Sequence, residues 1–380
     1  MPKVQAKPLC PYFGVCGGCA LQNVAYADQV EDKRQAIDDA LAAAGFDIRL
    51  ETIIPCPEPY YYRNRMDYPF GYQGELGLKA KGKWWKTLDL ETCFLLSKET
   101  PEILCRAREW TKSSALPFWN VKTNQGFFRY LVIREGKNTG ERMIMLVTSD
   151  QATLSDEQKK SFVALFDNMA SSILIGVNAS ITDLSIPQTI ETLKGNPYLT
   201  ESVNEIIYRI QPASFFQTNT LMAAELQNTV LEFCGDVVDK RVMDLYCGAG
   251  FFSLALAKSA TSVVGVELDV AAITAAKVNA KVNGITNVSF LASKAEEYDW
   301  IRDEPNVVII DPPRSGLHKT VLNTLTKALP ERIVYVSCKY QKLIEELPAF
   351  LPYYKVTKVR ALDLFPQTPH VEVVVQLTKL

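Results

Sequence analysis

Asp244-Leu245-Tyr246-Cys247-Gly248-Ala249-Gly250 lies where an apolar strand at 242–246 turns into a helix that starts near Phe251. The glycines let the backbone approach a ligand with no Cβ in the way. A dinucleotide loop would carry a third small residue at a fixed offset. Here Phe251-Phe252-Ser253 is bulky, so a cofactor without phosphates fits better than a pyrophosphate seated on the helix. Outward from this loop the pattern alternates: strand 263–267, helix 270–283, then strands at 288–291, 307–310 and 333–336. Alternation of this kind predicts a parallel sheet with crossover helices. Segments 355–364 and 371–377 end the chain as two adjacent strands, for which an antiparallel pair is expected.

Chemistry-bearing residues fall at the carboxyl ends of these strands, where open α/β sheets bind ligands. Glu267 ends the second strand, about twenty residues after the glycine loop, and can accept hydrogen bonds from both ribose hydroxyls of a nucleoside. Asp311-Pro312-Pro313-Arg314 follows the fourth strand, placing a carboxylate on a rigid loop. Cys338, in Ser337-Cys338-Lys339, ends another strand. Glu372 enters a run of β-branched residues, where an isolated buried charge would be costly.

A thiol and a carboxylate together suit methylation of carbon 5 of uracil. That carbon is a poor nucleophile until a thiolate adds to carbon 6. After methyl transfer the remaining C5 proton must leave before the thiolate can, and this needs a base. Cys338 is the expected nucleophile and Glu372 the expected base.

Upstream, residues 26–44 form an amphipathic helix ended by Gly45, with Val30, Ile37 and Leu41 near one face. Short strands at 130–134, 142–148 and 206–210, separated by Gly-, Asn- and Lys-rich segments, predict a β-rich middle domain. Cys10, Cys16 and Cys19 are spaced C-x5-C-x2-C among glycines, which suits a metal centre. A fourth ligand is needed. Spacing alone leaves Cys56, Cys93 and Cys105 open, and leaves zinc and iron–sulfur open as well.

With 41 Lys+Arg against 43 Asp+Glu, contact with a nucleic acid must come from local patches rather than from a global basic field. One such patch has Lys79, Lys81, Lys83 and Lys86 interleaved with Trp84 and Trp85. Arg63, Arg65, Arg129 and Arg134 lie nearby in sequence. The opening Met1-Pro2-Lys3-Val4-Gln5 lacks a signal-peptide stretch and no run reaches membrane-span length, so a cytoplasmic protein with no membrane association is expected.

Phe215-Phe216-Gln217-Thr218-Asn219, the Asp244 to Gly250 loop, Val266-Glu267, Asp311-Pro312-Pro313-Arg314, Ser337-Cys338 and Phe365-Pro366-Gln367-Thr368-Pro369-His370-Val371-Glu372 together resemble the RNA uridine-C5 methyltransferase family, over nearly the whole chain. The resemblance implies an α/β fold: a Rossmann-like class I methyltransferase domain with a seven-stranded sheet and an antiparallel last strand, beside a β-rich α+β domain carrying the cysteine cluster. The corresponding division is 1–50 for the cysteine segment, 51–211 for the central RNA-binding domain and 212–380 for the methyltransferase domain.

The resemblance further implies that Gln217, Tyr246, Glu267 and Asp311 contact S-adenosylmethionine. It also implies a [4Fe-4S] cluster on Cys10, Cys16, Cys19 and Cys93, and an RNA substrate, with 23S rRNA preferred over the T-loop of tRNA. The protein is expected to be a monomer. Relatives often carry a small oligonucleotide-binding barrel ahead of the cysteines, which has no counterpart before Cys10, so some RNA affinity is expected to come from elsewhere. Phe251, Lys294 and Lys339-Tyr340 depart from the family pattern. Two rival readings are a methyltransferase for exocyclic base amines, which would want an aromatic residue where Arg314 stands, and a noncatalytic iron–sulfur RNA-binding protein.

Overall fold

The apolar runs that alternate with helical segments fold as one eight-stranded sheet, in the order Thr52–Ile54, Tyr354–Leu362, Glu372–Lys379, Arg332–Ser337, Val307–Ile310, Arg241–Leu245, Ser262–Glu267, Val288–Ala292. This is a computed structural model, and it describes residues 5–380; the opening Met1-Pro2-Lys3-Val4 lies outside the described residues. Neighbouring strands from Arg332–Ser337 to Val288–Ala292 run parallel. Glu372–Lys379 runs antiparallel to both of its neighbours. The sheet has one strand more than the seven expected, because Thr52–Ile54 pairs in parallel with Tyr354–Leu362 at the outer edge. Three residues are too few to show a period-two pattern in sequence.

Two compact units make up the chain: residues 1–25, 58–202 and 209–214 in one, and 26–57, 203–208 and 215–380 in the other. This partition differs from the expected division. The helix Tyr26–Ala43 goes with the methyltransferase sheet, not with the cysteines that precede it. Its buried stripe explains why. Gln29, Lys33, Ile37 and Leu41 follow one another at i,i+4 spacing on one face. Ile37 and Leu41 enter the core formed by Met243, Leu245, Val308, Ile310, Ile333 and Tyr335, where each fully buried aliphatic side chain contributes roughly 1.5–3 kcal/mol.

The other unit is built on a five-stranded sheet ordered Arg65–Pro69, Phe128–Glu135, Arg142–Thr148, Ser172–Val177, Thr189–Lys194. Its helices are Thr100–Ser113 and Asp156–Leu165, the second opened by a capping box in which Ser155 and Gln158 exchange hydrogen bonds. A separate hairpin pairs Gly77–Ala80 with Lys83–Asp89. No helix among the described residues is long and apolar enough to cross a membrane.

Candidate active site

The glycine loop owes its shape to Glu267. The Glu267 Oε2 accepts from the Gly248 amide at 3.2 Å and Oε1 from the Asp269 amide at 2.9 Å, so the carboxylate pins the turn from below. Tyr246 and Cys247 both donate their amides to the Val266 carbonyl, and Tyr246 takes φ 67°, which tips its ring out of the strand. Gly265 is required beneath this turn: a Cβ there would stand 2.9 Å from the Cys247 sulfur and 2.7 Å from the Phe290 ring. Burial and the charge of Glu296 push the Tyr246 hydroxyl up to about 12, so it stays a neutral donor at working pH.

Asp244 is fully buried below the loop. Its Oδ2 accepts from Ser253 Oγ at 2.5 Å, whereas Oδ1 has no hydrogen-bond partner. Burial, reinforced by Glu267, pushes it up to about 7. Asp311, at the neighbouring strand end, is raised by burial and then by Asp244. Glu372 is raised well above the carboxylate range by burial and then by Asp311, with Arg314 opposing. Burial, Glu372 and Asp311 together raise the half-buried Cys338 thiol, while Arg314 draws it down. Asp311, Arg314, Cys338 and Glu372 therefore share one electrostatic neighbourhood at the carboxyl edge of the sheet. Burial drives these carboxyls toward their neutral forms, and a nearby cation would favour their ionised forms instead; S-adenosylmethionine carries both a sulfonium and an ammonium.

The loops that carry these groups are held from behind. Glu346 accepts the Leu317 amide at 3.0 Å and the Tyr335 hydroxyl at 2.6 Å, which fixes the loop after Pro312-Pro313. Arg314 Nη2 stands 3.2 Å from His370 Nδ1, linking that loop to the one that leads into Glu372. Lys339 donates its amide to Ser337 Oγ at 3.2 Å and Tyr340 packs against the core, which secures the turn after Cys338. Asn219 caps the helix Thr220–Cys234 and donates to the Leu364 carbonyl at 3.1 Å, which brings the segment carrying Gln217 to the base of the same loop.

Sequence reasoning missed the strongest of these supports. Lys33 and Asp363 form a buried ion pair at 2.7 Å, with side chains 4% and 0% exposed. Tyr26 donates to the second Asp363 oxygen at 2.9 Å, and Lys33 also reaches the Phe365 carbonyl at 3.2 Å. Gln29 exchanges two hydrogen bonds with Gln367, whose φ is 66°. The polar half of the buried stripe thus grips the loop 363–370 that delivers Glu372. The period of the stripe was visible in sequence; the loop it binds, more than 300 residues away, was not.

Phe251 occupies a structural place in this chain. Its ring packs on Phe216 and Tyr208, each at 5.8 Å between centroids, and its carbonyl accepts from Gln227 at 2.8 Å and Tyr208 at 3.1 Å.

In the other unit, Cys10, Cys16, Cys19 and Cys93 line one small cavity of about 20 Å³, together with Phe13, Gln22, Leu78 and Phe94. Gly17 and Gly18 let the cysteine loop lie along the hairpin: a Cβ on Gly18 would stand 3.2 Å from the Leu78 side chain. Burial raises all four thiols, Cys93 to about 11. Among the described residues no three His, Cys, Asp or Glu side chains already stand as ligands around a single metal ion. Cys56 and Cys105 are elsewhere: Cys56 accepts from Asn219 in the methyltransferase unit, and Cys105 is exposed beside Glu109.

Three arginines of the expected RNA patch are engaged within the protein. Arg129 is buried on the carbonyls of Asn178, Ser180 and Thr182. Arg134 is buried on those of Pro212 and Ser214, and Arg65 pairs with Asp67 at 2.7 Å.

Fold and site together define an S-adenosylmethionine-dependent methyltransferase, and the comparisons with known proteins narrow it. The family described as tRNA (Uracil-5-)-methyltransferase matches residues 143–380. An uncharacterized RNA methyltransferase of Caldanaerobacter subterraneus is 37% identical over 382 residues, covering 97% of this chain and 84% of the relative. The tRNA (uracil(54)-C(5))-methyltransferase of Pyrococcus horikoshii is 39% identical over 372 residues, covering 97% and 85%. The crystal structure of Pyrococcus abyssi tRNA (uracil-54, C5)-methyltransferase in complex with S-adenosyl-L-homocysteine superposes with a TM-score of 0.81 at 32% identity, covering 96% of this chain and 86% of that one. The chain belongs to the tRNA (uracil-5-)-methyltransferase family and is an RNA uracil-C5 methyltransferase. The expected preference for 23S rRNA finds no support in these relatives, those with a stated substrate being tRNA enzymes.

Proposed function

We propose that this enzyme forms 5-methyluridine in tRNA, with Cys338 as nucleophile and Glu372 as base. The observation that carries the chemistry is the grouping of Cys338, Glu372, Asp311 and Arg314 at one sheet edge. The preference for tRNA is supported by the named relatives. Bound S-adenosylmethionine supplies the methyl group, and Gln217, Tyr246, Glu267 and Asp311 hold it. Cys338 Sγ adds to carbon 6, so electron density moves to carbon 5, which then takes the methyl group. Glu372 accepts the C5 proton, and the electrons left behind restore the double bond as the thiolate departs.

The test offers tRNA transcripts and 23S rRNA fragments to the purified enzyme with labelled methyl donor, followed by nucleoside analysis. Label should appear as 5-methyluridine in tRNA. Label confined to the 23S fragments would refute the tRNA assignment, and a different methylated nucleoside would refute uracil-C5 chemistry for this site.

Four thiols line one cavity, and four thiolates are the ligand set that an iron–sulfur cluster takes. A [4Fe-4S] cluster would be held by Cys10, Cys16, Cys19 and Cys93. Anaerobically purified protein is expected to contain about four irons per chain, and Cys93→Ser to lose them. One equivalent of zinc, or full iron retention by Cys93→Ser, would contradict this assignment.

A further inference from the structure

Trp84 and Trp85 lie on the strand Lys83–Asp89 where its pairing shifts register: Lys79 faces Thr87 and Ala80 faces Lys83, so residues 84–86 bulge out of the ladder. Both indoles are exposed, at 59% and 41%, and are therefore not core residues. Their rings meet edge to face at 5.9 Å, and the Lys122 ammonium lies 5.4 Å from the Trp85 centroid. Lys79 is engaged with Asp183 at 3.3 Å. Lys81, Lys83, Lys86 and Lys122 form no ion pair among the described residues, which leaves four cations without an acidic partner around two exposed indoles, Lys122 lying over one of them.

The stem of this hairpin is fixed on its far side by the cysteine loop. Gly17 donates its amide to the Lys79 carbonyl at 3.1 Å, Lys81 donates to the Val15 carbonyl at 2.8 Å, and Cys16 bridges Ala80. A surface meant only to be soluble would not hold two indoles in water on an anchored stem.

We infer that the Trp84–Trp85 hairpin is a platform for unpaired bases of the RNA substrate, the indoles stacking on bases and the lysines taking phosphates. This rests on the RNA-methyltransferase reading above. Charge complementarity selects the occupant. The chain carries a formal net charge of -2, so RNA must be drawn by a local patch, and aromatic faces between cations are what single-stranded nucleic acid binds.

The test compares the full-length protein with Trp84→Ala/Trp85→Ala and with Lys81→Ala/Lys83→Ala/Lys86→Ala, titrating a tRNA transcript over a range of salt. Calorimetric binding of S-adenosylmethionine, unchanged in both variants, serves as the folding control. The tryptophan variant is expected to bind RNA about 5- to 150-fold more weakly for each stacked base lost. In the lysine variant the slope of log affinity against log salt should become shallower by about 2 to 3, for three phosphate contacts. Wild-type affinity and slope in both variants would overturn the platform while leaving methylation by the wild-type enzyme intact. Loss of binding to polyglutamate with RNA affinity unchanged would overturn it in favour of an acidic protein partner. Failure of the wild-type enzyme to bind or methylate any RNA would instead remove the reading on which the inference stands.

Discussion

Cys338→Ala is expected to abolish both methylation and any covalent complex with RNA, because carbon 5 never becomes nucleophilic without addition at carbon 6. Glu372→Gln should fail differently. The thiol still adds and the methyl group still transfers, but the C5 proton is lost slowly, by a factor of about 10² to 10⁴. A denaturant-stable protein–RNA adduct should then accumulate with natural uridine. Wild-type enzyme should show that adduct only when fluorine replaces the proton that must leave. The readout is a denaturing gel of each variant with labelled RNA and methyl donor. A shifted band or steady turnover from Cys338→Ala would mean that another residue is the nucleophile.

The second large effect lies in the buried pair of Lys33 and Asp363. Lys33→Met should destabilise the methyltransferase unit by roughly 3–5 kcal/mol, because the Asp363 carboxylate is left buried with no counter-charge. Lys33→Met/Asp363→Leu removes both charges and should recover most of that loss, since an apolar pair of similar volume is often no worse than a buried ion pair. Urea midpoints of the two variants and the wild type provide the comparison. A single variant within about 1 kcal/mol of wild type, on the scale of an exposed pair, would show that Asp363 does not depend on Lys33. Methylation should fall in the single variant even below its unfolding range, because Lys33 also holds the Phe365 carbonyl at the head of the loop to Glu372.

The parts of the site that were legible in sequence share one property: each sits where a strong local pattern ends. The glycine loop, Glu267, Asp311 and Cys338 all follow apolar strands, and an open parallel sheet gathers such ends along one edge whatever the details of packing. Glu372 was legible because a carboxylate in a β-branched run needs a reason. What was not legible depended on partners distant in the chain. Arg129 and Arg134 looked like RNA contacts in sequence, yet they close on carbonyls 49 to 80 positions away. Gln29 and Lys33 carry no functional signal in sequence, and their partners are 330 to 338 positions away. The partition into compact units differs from the expected division for the same reason. The chain leaves the methyltransferase unit after residue 57, returns at 203–208 and again at 215, and no composition change marks those crossings.

The distance between Lys33 and Asp363 sets an order of events during synthesis. The two residues are 330 positions apart, and at roughly 5–20 residues per second the second leaves the ribosome tens of seconds after the first. Through that interval the lysine cannot be neutralised in place, so the helix Tyr26–Ala43 cannot take up its final seat. The loop that presents Glu372 is therefore completed only when nearly the whole chain has been made. A truncated product retains the glycine turn but lacks the grip on its base, and a ribosome that stalls late releases a polypeptide with an exposed apolar stripe instead of an active enzyme.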